Sequence, residues 1–395
     1  MKTPFKSIIS GSAILVALLL FSQACKKDMV PGDPAASAAN NTASFIEKSI
    51  ASYMQVNLTA DVSDYNPIHI DSNLVNAWGM SFGPTGGIWV SANETSVSVI
   101  YNKQGSTLFG PVFIPFENGS SNPTGQVRNR TSSFIISSTS ERSKFIFATE
   151  NGSIAAWASG TSAITVADRS AQGAVYKGIE MARNSTGWFL FATDFHNGNV
   201  DVFDHNFNFV SSSMFVDPNM PAGFAPFNIR KLAGKLYVTY AMQLAPENHD
   251  DQAGPGNGYV DIFNTNGTFV HRFASQGQLN SPWGLEVLRG SISNENEQGD
   301  DDDQGNENDQ GENEDSQHPI ILVGNFGDGH INAFDHHGNF ISALMSNSAP
   351  VVIDGLWSIS YPPQENEAYE SVHNRLYFTA GPAHESHGIF GYLKK

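Results

Sequence analysis

A three-strand motif returns six times along the chain, and no other feature narrows the fold as much. Each copy opens on a short apolar strand, often around a Trp-Gly step. A second apolar strand follows, then a Gly/Asn/His-rich turn, then a third strand ending in Phe-Asp or its equivalent. The copies occupy 77–82, 87–92 and 96–105; 122–127, 144–152 and 153–160; 176–182, 188–198 and 199–206; 226–232, 235–241 and 258–267; 282–288, 320–329 and 330–338; and 355–361, 375–381 and 388–394. A unit of about 50 residues with three or four short strands is the mark of a β-propeller blade. One blade cannot bury its apolar faces alone, so six must close into a ring. Fourth, outer strands are expected after the Phe-Asp turns, as at 207–215 and 267–274. The sixth copy lacks one, while 52–62 alternates like a strand ahead of the first copy. That segment is predicted to complete blade six and remove the last open edges. The expectation is an all-β, six-bladed propeller over 52–394, closed by an N-terminal outer strand.

Composition agrees with many short strands. Gly, Asn, Ser and Phe are abundant, charged residues are 15% of the chain, and no stretch carries a 3.6-residue apolar period. The formal charge is −18. Residues 294–315, inside the fifth copy, hold eleven carboxylates and no Lys or Arg, so the remainder balances at −18 + 11 = −7. Phosphate binding needs Lys/Arg patches, and a nucleic-acid partner is therefore not expected. Asp301-x-Asp303-x-Gly305 lacks the full Ca²⁺ loop with its terminal bidentate Glu, so the insert reads as a solvated, disordered acidic loop.

The N-terminus carries its own signal. Lys2 and Lys6 precede an apolar run from Ile8 to Phe21, too short for a comfortable membrane span. Ser22-Gln23-Ala24 then leads to Cys25, the single cysteine of the chain. The segment resembles a lipobox, with Ser22 where Leu is usual. A lone thiol can form no disulfide and is a liability in an oxidising compartment, so an acyl anchor explains it best. The expectation is a lipoprotein signal peptide over 1–24, a lipidated Cys25 and a flexible tether over 25–51. The protein would be exported, monomeric and held to a bacterial membrane, periplasmic or at the cell surface. Secretion after a plain cut behind Ala24 is the alternative.

The blocks NLVNAWGMSF, GYVDIFNTNG, SPWGLEV and GNFGDGHINAFD resemble those of exported bacterial six-bladed propellers related to the NHL and TolB-like kind. The resemblance covers nearly the whole domain. It implies the fold and leaves activity open, because propellers host many unrelated functions.

Propeller geometry sorts the loops. Turns between second and third strands share a face with the starts of the inner strands. That face gathers Asn93, Glu94, Glu150, Asn151, Asp194, His196, Asn197, His249, Asp250, Asp251, Asn325, Asp328, His330, His384, Glu385 and His387. The inner-strand starts add Asn76, Asn122, Tyr176, Lys177, Phe227, Trp283 and Asp354. The acidic insert falls on the opposite face. Asn76, Trp283, Asp194, His196, His330, His384 and His387 are the candidate ligand-binding residues. Turns favour Asn, Asp, Gly and His for backbone reasons alone, so each residue singly is ambiguous.

Two functions fit. One is a binding module for a protein, glycan or small ligand. The other is a metal-dependent hydrolase or lyase resembling the lactonase propellers, in which Glu, Asn and Asp side chains hold one divalent ion in the channel. By that resemblance Glu180, Asn228, Glu286 and Asp354 are the candidate ligands for Ca²⁺ or Zn²⁺. His384-Glu385-Ser386-His387 is one residue short of His-Glu-x-x-His and lies in a loop, so it is not a metalloprotease site. There is no Gly-x-Ser-x-Gly elbow.

Overall fold

The computed structural model describes residues 50–116, 119, 121–289, 319–364 and 366–395. The predicted leader, nearly all of the tether and the acidic insert lie outside them. Ile50–Lys395 forms one compact unit.

Six sheets make the six blades. Blade one runs Ala77–Phe82, Ile88–Ala92, Val97–Tyr101 and Thr107–Phe113 from axis to rim. Blade two is Pro123–Arg128, Phe145–Thr149, Ser153–Trp157 and Ile164–Asp168. Blade three is Tyr176–Asn184, Gly187–Asp194, Asn199–Asp204 and Phe209–Ser211. Blade four is Phe224–Leu232, Lys235–Met242, Gly258–Phe263 and Phe269–Ser275. Blade five is Pro282–Val287, Ile321–Asn325, Ile331–Phe334 and Phe340–Ala343. The inner strands touch in order around the axis, and the sixth touches the first.

Blade six joins the two ends of the sequence. Its inner strands are Leu356–Ser360, Leu376–Ala380 and Ile389–Lys394, and its outer strand is Met54–Ala60. The pairing is antiparallel, from Met54 opposite Lys394 to Ala60 opposite Ile389. The expected closure is therefore present. A fifth strand, His69–Ile70, adds in parallel.

Burial explains the sequence pattern. Second strands such as Ile88–Ala92, Phe145–Thr149 and Leu376–Ala380 are buried throughout, because neighbouring blades cover both faces. Such strands read as unbroken apolar runs. Outer strands face water, and Thr107–Phe113 is mostly exposed. In blades one, three, four and five the third strand ends at or just before Asn102, Asp204, Asn264 or Asp335, which hold the following turn. Asp204 Oδ1 accepts the backbone N–H of Asn206 and Asn208 at 2.8 and 2.9 Å, and Asp335 does the same for His337 and Asn339. At the axis, inner strands come too close for side chains. A Cβ on Gly178 would stand 2.3 Å from Asn228 Oδ1, and one on Gly125 would stand 2.8 Å from the Ile179 nitrogen.

Some details depart from expectation. The outer strand of blade three is only Phe209–Ser211, because its register shifts against Asn199–Asp204. Two hairpins outside the repeat, Ile135–Ile136 with Glu141–Arg142 and Met345–Ser346 with Ala349–Pro350, carry no repeat signal in the sequence.

Candidate functional site

Each inner strand carries a small or amide residue where the strands crowd: Gly79, Gly125, Gly178, Asn228, Gly284 and Ser358. The residue before it is Trp78, Thr124, Lys177, Phe227, Trp283 or Trp357. Four of these close the axis as an aromatic plug together with Phe195 and Phe326. Trp357 packs edge-on to Trp78 at 4.0 Å and to Trp283 at 6.0 Å, and Phe326 stacks on it at 3.9 Å. Trp78 and Trp357 are each 1% exposed. The Lys177 ammonium lies 5.1 Å from the Trp78 ring centre, a cation–π distance.

A polar layer covers this plug at the end of the ring where the inner strands begin. Lys177 is 3% exposed, and its ammonium pairs closely with Glu150 and lies 3.5 Å from Asp250. Burial alone would drive its pKa down, but Glu150 and Asp250 hold it above the ordinary lysine value. Glu150 accepts from Asn93 at 2.9 Å. Asn122 donates to Asn93 at 3.3 Å. Asn76 donates to Glu385 at 2.7 Å and accepts from the Trp357 indole at 2.9 Å. Trp283 donates to the Lys177 carbonyl at 3.2 Å. The Trp78 indole N–H is buried and has no partner among the described residues. Every blade except the fifth supplies a charged or amide side chain to this layer.

Loops deliver these groups in costly conformations. Asn76 and Asn122 have φ of 51° and 49°, and Ala383, His384 and Glu385 take φ of 55°, 55° and 65° in succession. Left-handed backbone costs a non-glycine residue about 1 kcal/mol or more, and such strain collects at functional sites. Here it aims Glu385 at Asn76. Burial pushes the Glu385 carboxyl up to about 7; Lys177 opposes the rise and Glu150 adds to it. Burial and then Glu150 raise Glu94. The hydrogen bond from His249 takes Asp250 down to about 2, and the same contact raises His249. The rim thus mixes an acidic Asp250 and a raised His249 with carboxyls at Glu385 and Glu94 that burial pushes towards their neutral form.

Of the candidate ligand-binding residues, the structure brings Asn76 and Trp283 into this assembly. The others serve local structure. Asp194 caps its turn, accepting the backbone N–H of Val175 and Asn197. His196 contacts the Glu247 carbonyl and His330 pairs with Asp328. His387 pairs with Asp61 at 2.7 Å and clasps the closing segment. His384 is exposed.

Each of the four candidate metal ligands is engaged with the chain itself. Glu180 accepts the Lys231 backbone N–H at 3.0 Å, and Glu286 accepts from Ser360 and the Tyr361 N–H at 2.8 and 3.1 Å. Each carboxylate ties its inner strand to the next blade. Asn228 spans to the Trp283 carbonyl at 2.7 Å, and exposed Asp354 accepts the Ala383 N–H at 3.0 Å. Ladder-like inner strands put positions along one strand at different depths, so residues alike in sequence position need not share a cavity. Among the described residues, Glu150, His249 and Asp250 are the group whose ligand atoms lie within 4.8 Å of one another. Together with Lys177 and Glu385 they belong to the expected face, without a local motif to set them apart on it. The usable signal is the residue preceding each crowded inner-strand position, with the loops that overhang it.

A second charge cluster lies at the other end of the ring. Arg289, Arg375, Lys394 and Lys395 line a cleft with Tyr53 and Tyr361. Arg289 donates to the Pro362 carbonyl at 2.8 Å and Arg375 to the Lys103 carbonyl at 3.0 Å, so both guanidinium groups brace loops.

No protein-family model matches the chain. Two uncharacterized proteins of Acanthamoeba polyphaga mimivirus are each 29% identical to it. One aligns over 341 residues, 83% of this chain and 76% of its own. The other aligns over 342 residues, 83% and 82%. Among solved structures, a catalytically inactive virginiamycin B lyase from Staphylococcus aureus with quinupristin covers 87% of this chain and 99% of its own at TM-score 0.50 and 10% identity. A gluconolactonase from Xanthomonas campestris covers 82% and 86% at TM-score 0.47 and 11% identity. Likeness at this level concerns the propeller fold alone.

Proposed function

We propose that the protein is an exported, lipid-anchored binding module that takes a small polar ligand at the axial mouth. The carrying observation is the convergence of Glu150, Asp250, Asn93, Asn76 and Glu385 on the buried Lys177, over a tryptophan plug and with five blades contributing. A buried ammonium fixed between carboxylates is expensive to desolvate and needs full partnering. So many loops reaching over one lysine is more than stability of the ring requires. Two carboxylates, Glu150 and Asp250, against the one Lys177 ammonium favour a ligand carrying a cationic group. Export and anchoring rest on the apolar leader and the lone Cys25.

A specific observation favours acid–base catalysis as a second reading. Glu150 pairs with the Lys177 ammonium, while Glu385 in the same layer is pushed up to about 7 by burial. A carboxyl raised towards neutral pH in a partly buried site suits a proton donor or acceptor.

One experiment addresses both. Emission from Trp78, Trp283 and Trp357 is followed while monosaccharides, amino acids and polyamines are titrated in the presence of EDTA. A saturable change with one class, lost in Glu150→Gln and kept in His196→Ala, is expected. No response from any class would sink the proposal. Proton NMR of the responding ligand then separates the readings: an unchanged spectrum supports the module, and conversion that stops in Glu385→Gln supports the enzyme.

A further inference from the structure

We infer that Glu150, His249 and Asp250 form a divalent-cation site at the axial mouth, in which Lys177 is the resident cation that a metal ion displaces. The inference rests on reading the mouth as a binding site and names one thing that it binds.

Three observations carry it. The first is the ligand set: an imidazole nitrogen and two carboxylate oxygens whose ligand atoms lie within 4.8 Å of one another. This is more than a patch of acids, because the imidazole gives the set a chemical preference. Zn²⁺ accepts nitrogen and oxygen donors together, with bonds of about 2.0–2.2 Å. Ca²⁺ prefers an all-oxygen shell of six or more. A three-donor N/O/O set completed by solvent therefore suits Zn²⁺.

The second observation is that a cation already sits there. The Lys177 ammonium pairs closely with Glu150 and lies 3.5 Å from Asp250. The geometry thus shows where positive charge is stabilised. An ammonium and a divalent ion cannot share those oxygens, since like charges at such separations repel strongly where water is scarce. Metal entry requires Lys177 to withdraw, and the Trp78 face 5.1 Å from the ammonium gives it somewhere to go.

The third observation is access. The His249 and Asp250 side chains are 47% and 67% exposed, on the segment between Lys235–Met242 and Gly258–Phe263 that reaches over blade three. Glu150 is only 13% exposed. The site thus has one partly buried ligand and two on its rim. Small movements of the rim side chains can draw three atoms from their present spacing onto one ion.

Competition with Lys177 sets the test. The mature chain is titrated with Zn²⁺ by calorimetry, beside Lys177→Met, His249→Ala, Glu150→Gln and a variant lacking 294–315. The expected result is one ion per chain. Lys177→Met should bind roughly tenfold more tightly or better, because the repelling charge is gone. Its lowered melting temperature should recover on adding Zn²⁺. His249→Ala should bind roughly tenfold more weakly. Absence of binding in both the native chain and Lys177→Met would overturn the inference. So would weaker binding by Lys177→Met, or binding indifferent to His249→Ala and Glu150→Gln but lost with 294–315. The outcomes separate from those of the ligand titration, which is run in EDTA: metal can fail while the organic ligand binds, and the reverse.

Discussion

Glu385 shows how one carboxyl couples the mouth to the stability of the ring. Its pKa is about 7 in the folded chain, against 4.5 ordinarily. The folded state thus keeps a proton that the unfolded state has released, so stability falls as pH rises from about 4.5 to 7. With the group partly screened, the loss amounts to about 2 kcal/mol. Glu385→Gln should flatten that portion of the profile, measured by urea melts between pH 5 and 8. An unchanged slope would mean that Glu385 is not held protonated. Asn76 is the hinge of the same network, buried, left-handed and hydrogen-bonded on both sides of its amide. Its sequence neighbourhood, one Asn before a Trp-Gly step, marks it as a candidate. Nothing local marks Lys177 as the centre, because its importance comes from Glu150 and Asp250 on other blades.

At the scale of strands, the repeat makes most of the fold legible. Buried second strands announce themselves as apolar runs, and the Phe-Asp ending of third strands follows from the turn that Asp204 and Asp335 hold. Outer strands are less legible, since exposure leaves them free of pattern and bulges shift their register, as at Val202 and Phe203. The closing strand is legible because Val56, Leu58 and Ala60 alternate and the sixth copy lacks a partner. Leu58 and Val56 pack with Tyr377, Phe390 and Tyr392. Deleting 52–62 uncovers that cluster and the open edge of Ile389–Lys394, at a cost of about 3–5 kcal/mol. Deleting 294–315 should change the melting temperature far less. Equal losses would contradict closure by this strand. At this same scale Glu180 and Glu286 bond from one inner strand to the next blade, a structural role open to the same residue type and position as a ligand.

Over the whole molecule, the two ends of the ring differ. Inner strands begin and Glu385 lies at one end; Met54, Lys394 and the Arg289 cleft lie at the other. Residue 50 therefore leaves the ring on the side away from the mouth. Mass spectrometry of the mature N-terminus should find Cys25 carrying acyl chains, each buried CH₂ adding about 0.8 kcal/mol of membrane affinity. An unmodified thiol would refute the anchor. The closure also decides how the molecule answers a pull. Tension arriving through residue 50 meets the outer strand at the Met54–Lys394 pair, the first of six along that edge. Because the strand runs from that end of the ring towards the other, a pull along the ring axis loads its hydrogen bonds together, in shear, and does not open them one by one. Tyr53, held at 2.7 Å by the Met345 carbonyl, takes part of that load ahead of the strand, so the joint that seals the ring is also its mechanical anchor.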